Sequence, residues 1–251
     1  MATVAGATPE VAVRIGLSMT CLQLGIGVVN DVVDAPRDAG RKPGKPIPAG
    51  LVAPRAARVA AGLAFAAGIL LALTVRPGLA GLGLLVVGIG LAYDLRLKGT
   101  AWSWLPFAVG IPILPVYGWF GAAGSLPPPF AALIPAAVAA GAGLAIGNSL
   151  VDVERDEAAG ATSVAARLGP DRAAAVTAGL YAVVGVVGVV SAAIAGTPPS
   201  WLAALAVVAV IAAAAPLLVR ARPPADRERA WRAEAVALAI FAVVWLLAVV
   251  G

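Results

Sequence analysis

The chain has 251 residues, of which 61% are hydrophobic and 12% are charged, and its formal net charge is +5. Because soluble domains carry about 25% charged residues, this composition excludes a water-soluble globular protein. The single cysteine excludes an internal disulfide, and the lack of histidine excludes His-ligated zinc and a Ser-His-Asp triad.

Apolar segments long enough to cross a bilayer recur along the whole chain. A transmembrane helix needs about 20 predominantly apolar residues, and the sequence lacks the alternating pattern of a membrane β-barrel. We therefore predict an all-α, polytopic transmembrane helical bundle. Its eight spans are expected at about residues 11–30, 56–75, 79–93, 102–120, 130–151, 173–195, 200–219 and 233–250.

The basic residues are concentrated between alternate spans. Every Lys and Arg except Arg14 and Arg76 lies in segments 31–58, 94–98, 152–172 and 220–234. Positive charge beside a span marks its cytoplasmic side, so the charge indicates membrane topology and not nucleic-acid binding. We expect an integral, multi-pass protein of the plasma membrane, surrounded by lipid, with these four segments in the cytoplasm.

Two sets of polar residues have the same composition and spacing. The first acidic stripe is Asn30, Asp34 and Asp38, and the second acidic stripe is Asn148, Asp152 and Asp156. Residues four apart share one helix face if the helix continues through them, although Pro36 can distort the first stripe. The match predicts an internal duplication, with pseudo-twofold halves at about 11–120 and 130–250 around a central cavity.

The donor atoms of the two stripes favour a hard cation. Carboxylate and amide oxygens without imidazole or thiolate suit Mg²⁺, which usually bridges one or two carboxylates to substrate phosphates. Two facing stripes therefore predict two Mg²⁺ ions with a diphosphate between them. A lone carboxylate at a helix end is more simply explained by solvation, but two matching sets favour the metal site. Asp31 lies about 100° around the helix from Asn30 and is expected either behind the ligands or in solvent.

Basic residues follow the first acidic stripe and end the third span. Arg41 and Lys45 lie in a Pro-rich segment that can grip a phosphate, although charge that only sets topology explains it equally well. At the end of the third span, Arg96 or Lys98 can hold a phosphate oxygen that Tyr93 orients. Anchoring at the membrane interface is the alternative role for these residues.

These motifs resemble those of the UbiA superfamily of intramembrane prenyltransferases. The family's N-D-x-x-D-x-x-x-D motif is similar to residues 30–38, NDVVDAPRD, and its D-x-x-x-D motif is similar to residues 152–156, DVERD. A Tyr-to-Lys motif resembles Tyr93 to Lys98, with four intervening residues in place of the commoner three. The family usually has nine spans, so its first helix is expected to be missing here, through either a late assigned start or a shortened chain.

The resemblance implies a single domain, 1–251, that transfers a prenyl group from a prenyl diphosphate to an aromatic or quinone-precursor acceptor, with Mg²⁺ as cofactor. The metal ligands that the resemblance implies are Asn30, Asp34, Asp38, Asp152 and Asp156, and the matching spacing of the second acidic stripe adds Asn148. The implied catalytic residues are Asp34, Asp152, Tyr93 and Lys98. The candidates for binding the diphosphate are Arg37, Arg41, Lys45, Arg96 and Arg155.

Two other functions remain open at the level of sequence. A membrane terpene cyclase of the same superfamily would release diphosphate without any acceptor. A transporter or ion-coupled membrane protein would use the acidic residues for coupling, and such carboxylates usually lie near the bilayer midplane. The grouping of both stripes at one membrane face counts against the transporter.

Overall fold

A computed structural model describes residues 1–40, 44–158 and 160–250 of the chain. The described residues form helices and no strands, and eight of the helices are long and apolar enough to cross a membrane. The predicted all-α class and the predicted eight spans are thus confirmed. The helices are α1 (Pro9–Asp38), α2 (Pro54–Val75), α3 (Pro77–Ala92), α4 (Leu105–Ala123), α5 (Phe130–Val151), α6 (Val153–Ala158), α7 (Val164–Leu168), α8 (Pro170–Ile194), α9 (Pro199–Val219) and α10 (Pro224–Val250).

Three spans extend further than hydropathy predicts. Helix α1 continues through Pro36 to Asp38, and α3 continues into a π-helical turn at Tyr93–Leu97. Helix α10 begins at Pro224, where the charged pairs Arg229–Asp226 and Arg232–Glu228 lie one turn apart. Pairs at this spacing support a helix whose residues are too polar to register as a span.

The chain divides into two compact units. The first unit comprises Met1–Arg96 and Ile113–Leu126, and the second comprises Leu97–Pro112 and the described residues from Pro127 onward. Helix α4 therefore contributes residues 105–112 to the second unit and residues 113–123 to the first.

In the first unit, α1 packs against α2 and α3 around buried apolar side chains that include Leu22, Leu79 and Tyr117. One polar contact lies inside this core: Ser18 Oγ donates to the Gly68 carbonyl at 2.7 Å and lies 2.6 Å from the Tyr117 hydroxyl. A buried hydroxyl needs such partners in an apolar environment. The contact fixes the part of α1 that leads to the first acidic stripe.

In the second unit, α5 packs against α8 and α10. Small residues allow close approach where lipid supplies no hydrophobic driving force. A Cβ added at Gly141 would lie 2.3 Å from the Phe107 carbonyl oxygen, so only glycine lets α5 lie so near residues 105–112 of α4. This packing sets the position of α5, which carries Asn148 near its C-terminal end.

Candidate functional site

The first acidic stripe lies on one continuous helix. Helix α1 extends from Pro9 to Asp38, so the condition that the helix continues through the stripe is met despite Pro36. Asp34 is 8% exposed and Asp38 is 6% exposed, while Asn30 is half-buried. Buried carboxylates need a cation or hydrogen-bond donors, so the stripe is a place of concentrated negative charge that calls for positive partners.

Lys45 supplies one such partner. Its Nζ lies 2.7 Å from Asp31 Oδ1 and 2.9 Å from Asp38 Oδ2. The hydrogen bonds to Asp31 and then to Asp38 raise the pKa of Lys45 above its ordinary value, so the amine stays protonated at neutral pH. Asp31, which lies about 100° around the helix from Asn30, thus takes part in an ion pair beside the first acidic stripe. Arg41 lies outside the described residues.

The amide of Asn30 has an acidic partner that the motif does not contain. Asn30 Nδ2 donates to Asp94 Oδ1 at 2.7 Å, and Asp94 is 5% exposed. Asp94 lies in the π-helical turn that ends the third span, next to Tyr93. Asp94 was not predicted as a site residue, although its place beside the candidate Tyr93 at the end of a span could have indicated it.

The predicted basic residues of the first unit differ in exposure. Arg37, in the last turn of α1, and Arg96, in the π-helical turn, are both exposed. Tyr93 begins that turn and is half-buried. Lys98 is also half-buried but belongs to the second unit. The side chains of Arg37 and Arg96 are therefore accessible to a soluble anion.

The second acidic stripe does not lie on a continuous helix. Helix α5 ends at Val151, Asp152 has φ −102° and ψ 11°, and α6 begins at Val153. The condition that the helix continues through the stripe is therefore not met at Asp152, and α5 ends at the residue predicted for the end of this span. The backbone N–H of Asp156 still donates to the Asp152 carbonyl at 2.9 Å, which keeps the four-residue spacing across the turn.

Two arginines lie close to the second acidic stripe. Arg155 Nη1 lies 3.0 Å from Asp152 Oδ1, but its side chain is 72% exposed. Arg227, on α10, forms an ion pair with Glu154, and this hydrogen bond lowers the pKa of Glu154. The sequence did not identify Arg227 as a site residue, because Arg227 lies far from the stripe along the chain, in segment 220–234, whose charge was interpreted as setting membrane topology.

Further buried polar groups of the second unit pack against α5, the helix that carries Asn148. Glu234 on α10 and Tyr181 on α8 are 4% and 1% exposed. Glycines on α5 make room for them: a Cβ at Gly143 would lie 2.5 Å from the Tyr181 ring, and one at Gly147 would lie 3.9 Å from Glu234 Oε2. Sequence reasoning missed both residues, since a lone Glu or Tyr in a span carries no spacing signal.

The ligands that each stripe offers suit a Mg²⁺ ion that also binds water and substrate phosphate, and not an ion held by protein ligands alone. Across residues 1–40, 44–158 and 160–250, no three Asp, Glu, Cys or His side chains converge as a metal cage. Each stripe instead offers two carboxylates and one amide, and Mg²⁺ typically takes one or two carboxylates, several waters and substrate phosphates. The stripes belong to different units, and their facing arrangement stays a prediction.

Comparisons with known proteins give one family and one fold. A model of the UbiA prenyltransferase family matches residues 1–242. No curated sequence matches the chain. Among solved structures, the fold is similar to digeranylgeranylglyceryl phosphate synthase, with 15% identity, a TM-score of 0.77 and coverage of 97% of this chain and 87% of that one.

Two archaeal structures are similar to the same extent. A UbiA homologue from Aeropyrum pernix K1 has 19% identity and a TM-score of 0.75, with coverage of 96% of this chain and 93% of that one. A UbiA homologue from Archaeoglobus fulgidus, bound to DMAPP and Mg²⁺, has 17% identity and a TM-score of 0.74, with coverage of 98% of this chain and 89% of that one. At these identities the likeness shows the fold.

Proposed function

Because the chain belongs to the UbiA prenyltransferase family, we propose that it transfers a prenyl group from a prenyl diphosphate to an aromatic or quinone-precursor acceptor within the membrane. The observation that carries this proposal is the first acidic stripe, whose buried Asp34 and Asp38 lie at the end of an apolar helix beside a basic residue. The DMAPP and Mg²⁺ bound to the homologue from Archaeoglobus fulgidus support the choice of substrate class and cofactor.

The residues of the two stripes would hold the metal. In the first unit these are Asn30, Asp34 and Asp38, and in the second they are Asn148, Asp152 and Asp156. When bound, Mg²⁺ supplies positive charge that offsets the negative charge developing on the leaving diphosphate. The hydrogen bond from Asn30 to Asp94 commits the amide nitrogen of Asn30 as a donor, which leaves its single side-chain oxygen, Oδ1, to face a cation.

The basic residues have the task of binding the diphosphate. Arg37 and Arg96 are exposed and free to approach a phosphate from the cytoplasmic side, while Lys45 needs only to exchange its carboxylate partners for phosphate oxygens. Arg155 is placed to do the same beside Asp152. We assign Tyr93 and Lys98 to orientation of the same group. Cations at these positions favour departure of the anion, and the effect grows where water is excluded.

The reaction proposed is a heterolytic substitution at carbon 1 of the prenyl chain. The carbon–oxygen bond breaks, its electron pair leaves with the diphosphate, and the allylic carbocation is attacked by a ring carbon of the acceptor. The ring then loses its proton to solvent. The apolar spans keep the chain and the cation away from water. We place the diphosphate at the cytoplasmic face of the plasma membrane because positive charge beside the spans predicts that side for the basic segments.

The test is diphosphate release by the purified protein with labelled prenyl diphosphates of several lengths, with and without candidate acceptors. Asp34→Asn and Asp152→Asn should each abolish Mg²⁺-dependent release. Asp171→Asn is the matched control, since Asp171 is exposed at the start of α8 and pairs with Arg220. Full activity of either stripe variant would refute the assigned roles, and release without any acceptor would identify a cyclase.

A further inference from the structure

Arg227 is a buried arginine whose partners all belong to the second unit. Only 5% of its surface is exposed, although it lies in the charged first turns of α10. A buried guanidinium is costly unless its charge and its N–H groups are matched. Its neighbours in sequence, Arg229 and Arg232, are instead exposed and form ion pairs with residues of their own helix.

The partners of Arg227 lie on either side of Asp152. Nη2 donates to the carbonyl of Val151, the last residue of α5, at 3.4 Å. The same nitrogen forms an ion pair with Glu154 Oε2 in the first turn of α6. Asp152 is therefore flanked, one residue before and two residues after, by groups that a single guanidinium holds.

A third contact fixes the guanidinium itself. Nη1 donates at 3.3 Å to the carbonyl of Arg220, the residue that follows α9. Arginine presents its N–H groups in a rigid plane, so contacts made by Nη1 and Nη2 define the orientation of the whole group. A lysine amine carries the same charge but places all its donors on one atom, and it cannot reproduce this arrangement.

The turn at Asp152 is the part of the second acidic stripe that most needs outside support. Its backbone leaves helical geometry at Asp152, and the Asp152 carbonyl accepts the N–H of Asp156 at 2.9 Å. A shift of the turn thus moves both carboxylates of the stripe. Groups behind metal ligands commonly set the position of the ligands in this way.

We infer that Arg227 is a positioning residue for the second acidic stripe: it holds the Val151 carbonyl and Glu154 so that Asp152 and Asp156 point to a common Mg²⁺-diphosphate ligand. The inference rests on the proposed function. Arg227 acts through the turn and is not assigned any contact with substrate.

The test measures metal binding apart from turnover. Mn²⁺ replaces Mg²⁺, and its affinity for purified protein in detergent is measured by electron paramagnetic resonance with a non-reactive prenyl diphosphate analogue present. Arg227→Met should weaken Mn²⁺ binding by about tenfold or more, the usual effect of removing a group behind a metal ligand. Arg227→Lys should also bind Mn²⁺ more weakly than the wild type, because lysine does not replace the guanidinium. Glu154→Gln should lower the Mn²⁺ affinity by a smaller factor of a few-fold.

Arg229→Met is the control, because Arg229 is 76% exposed and lies two residues further along the same helix. A wild-type affinity in folded Arg227→Met protein, or full rescue by Arg227→Lys, would overturn the inference. If Arg227→Met does not fold, Glu154→Gln decides: an unchanged Mn²⁺ affinity rejects the positioning role. A wild-type protein that binds Mn²⁺ and the analogue but never releases diphosphate would instead count against the proposed function.

Discussion

Lys45 holds two carboxylates of the first unit at once, so its removal should have opposite effects on metal and diphosphate binding. In Lys45→Met, Asp31 and Asp38 lose the amine that lies 2.7 Å and 2.9 Å from them. A metal ion then no longer competes with the amine for Asp38, and binding in the absence of substrate should become tighter. The prenyl diphosphate loses a cationic contact and should bind more weakly.

The size of the effect follows from geometry and burial. Two unit charges 2.9 Å apart attract by about 6 kcal/mol at an effective dielectric constant of 20. Most of this is cancelled by desolvation and by ordering the lysine, whose side chain is 25% exposed. We expect a net value of about 1–2 kcal/mol, between those of exposed and buried pairs, and since about 1.4 kcal/mol is a tenfold change, metal affinity should rise about tenfold.

Two measurements check this prediction. Mn²⁺ titration without substrate should show the tighter binding, and Mg²⁺ should raise the thermal midpoint of Lys45→Met by more than that of the wild type. Steady-state kinetics should show a higher KM for the prenyl diphosphate. Arg58→Met removes the same charge from an exposed position in the first turns of α2 and should change neither quantity. Weaker or unchanged Mn²⁺ binding by Lys45→Met would refute the idea that the amine and the metal compete.

Two further predictions concern the packing that supports the stripes. Asn30→Asp should lower the thermal midpoint of the metal-free protein, because two carboxylates would then meet at a contact now 2.7 Å long. The double variant that combines Asn30→Asp with Asp94→Asn should restore the midpoint. An unchanged midpoint in Asn30→Asp alone would contradict the contact. Gly141→Ala should lower the free energy of unfolding by about 1–3 kcal/mol, because the added methyl group overpacks against the Phe107 carbonyl. Gly62→Ala places its methyl group in open space and should leave the free energy of unfolding unchanged. Equal thermal midpoints of the two alanine variants would contradict the packing.

Hydropathy predicted the number of spans but not how far α1, α3 and α10 extend beyond their apolar segments. Each span is read from its own apolar residues, so the eight segments could be located without tertiary information. The end of α1 and the start of α10 are polar helix stabilised by ion pairs, and transfer energies do not record them. The acidic stripe on α1 was predictable for the same local reason, because a spacing of four fixes one helix face.

The partners of the stripes were beyond the reach of local patterns. Asp94 and Arg227 meet Asn30 and Glu154 only because distant segments fold together. Lys45 was found as a basic residue in a loop, but its contact with Asp38 depends on how that loop returns to α1. The sequence left open whether the helix continues through Asp152, because DVERD contains no proline or glycine to mark a break.

The two acidic stripes have the same sequence pattern but different physical surroundings. In the first, Asp38 is 6% exposed and forms an ion pair with Lys45, a lysine on a flexible stem that an incoming cation can displace. In the second, the Asp152 side chain is 38% exposed and its ion pair with Arg155 is open to water, so it contributes little. Negative charge at the first stripe therefore needs compensation more strongly, because water screens it less. We expect the first stripe to be the tighter metal site, and the second to depend on its fixed backbone turn.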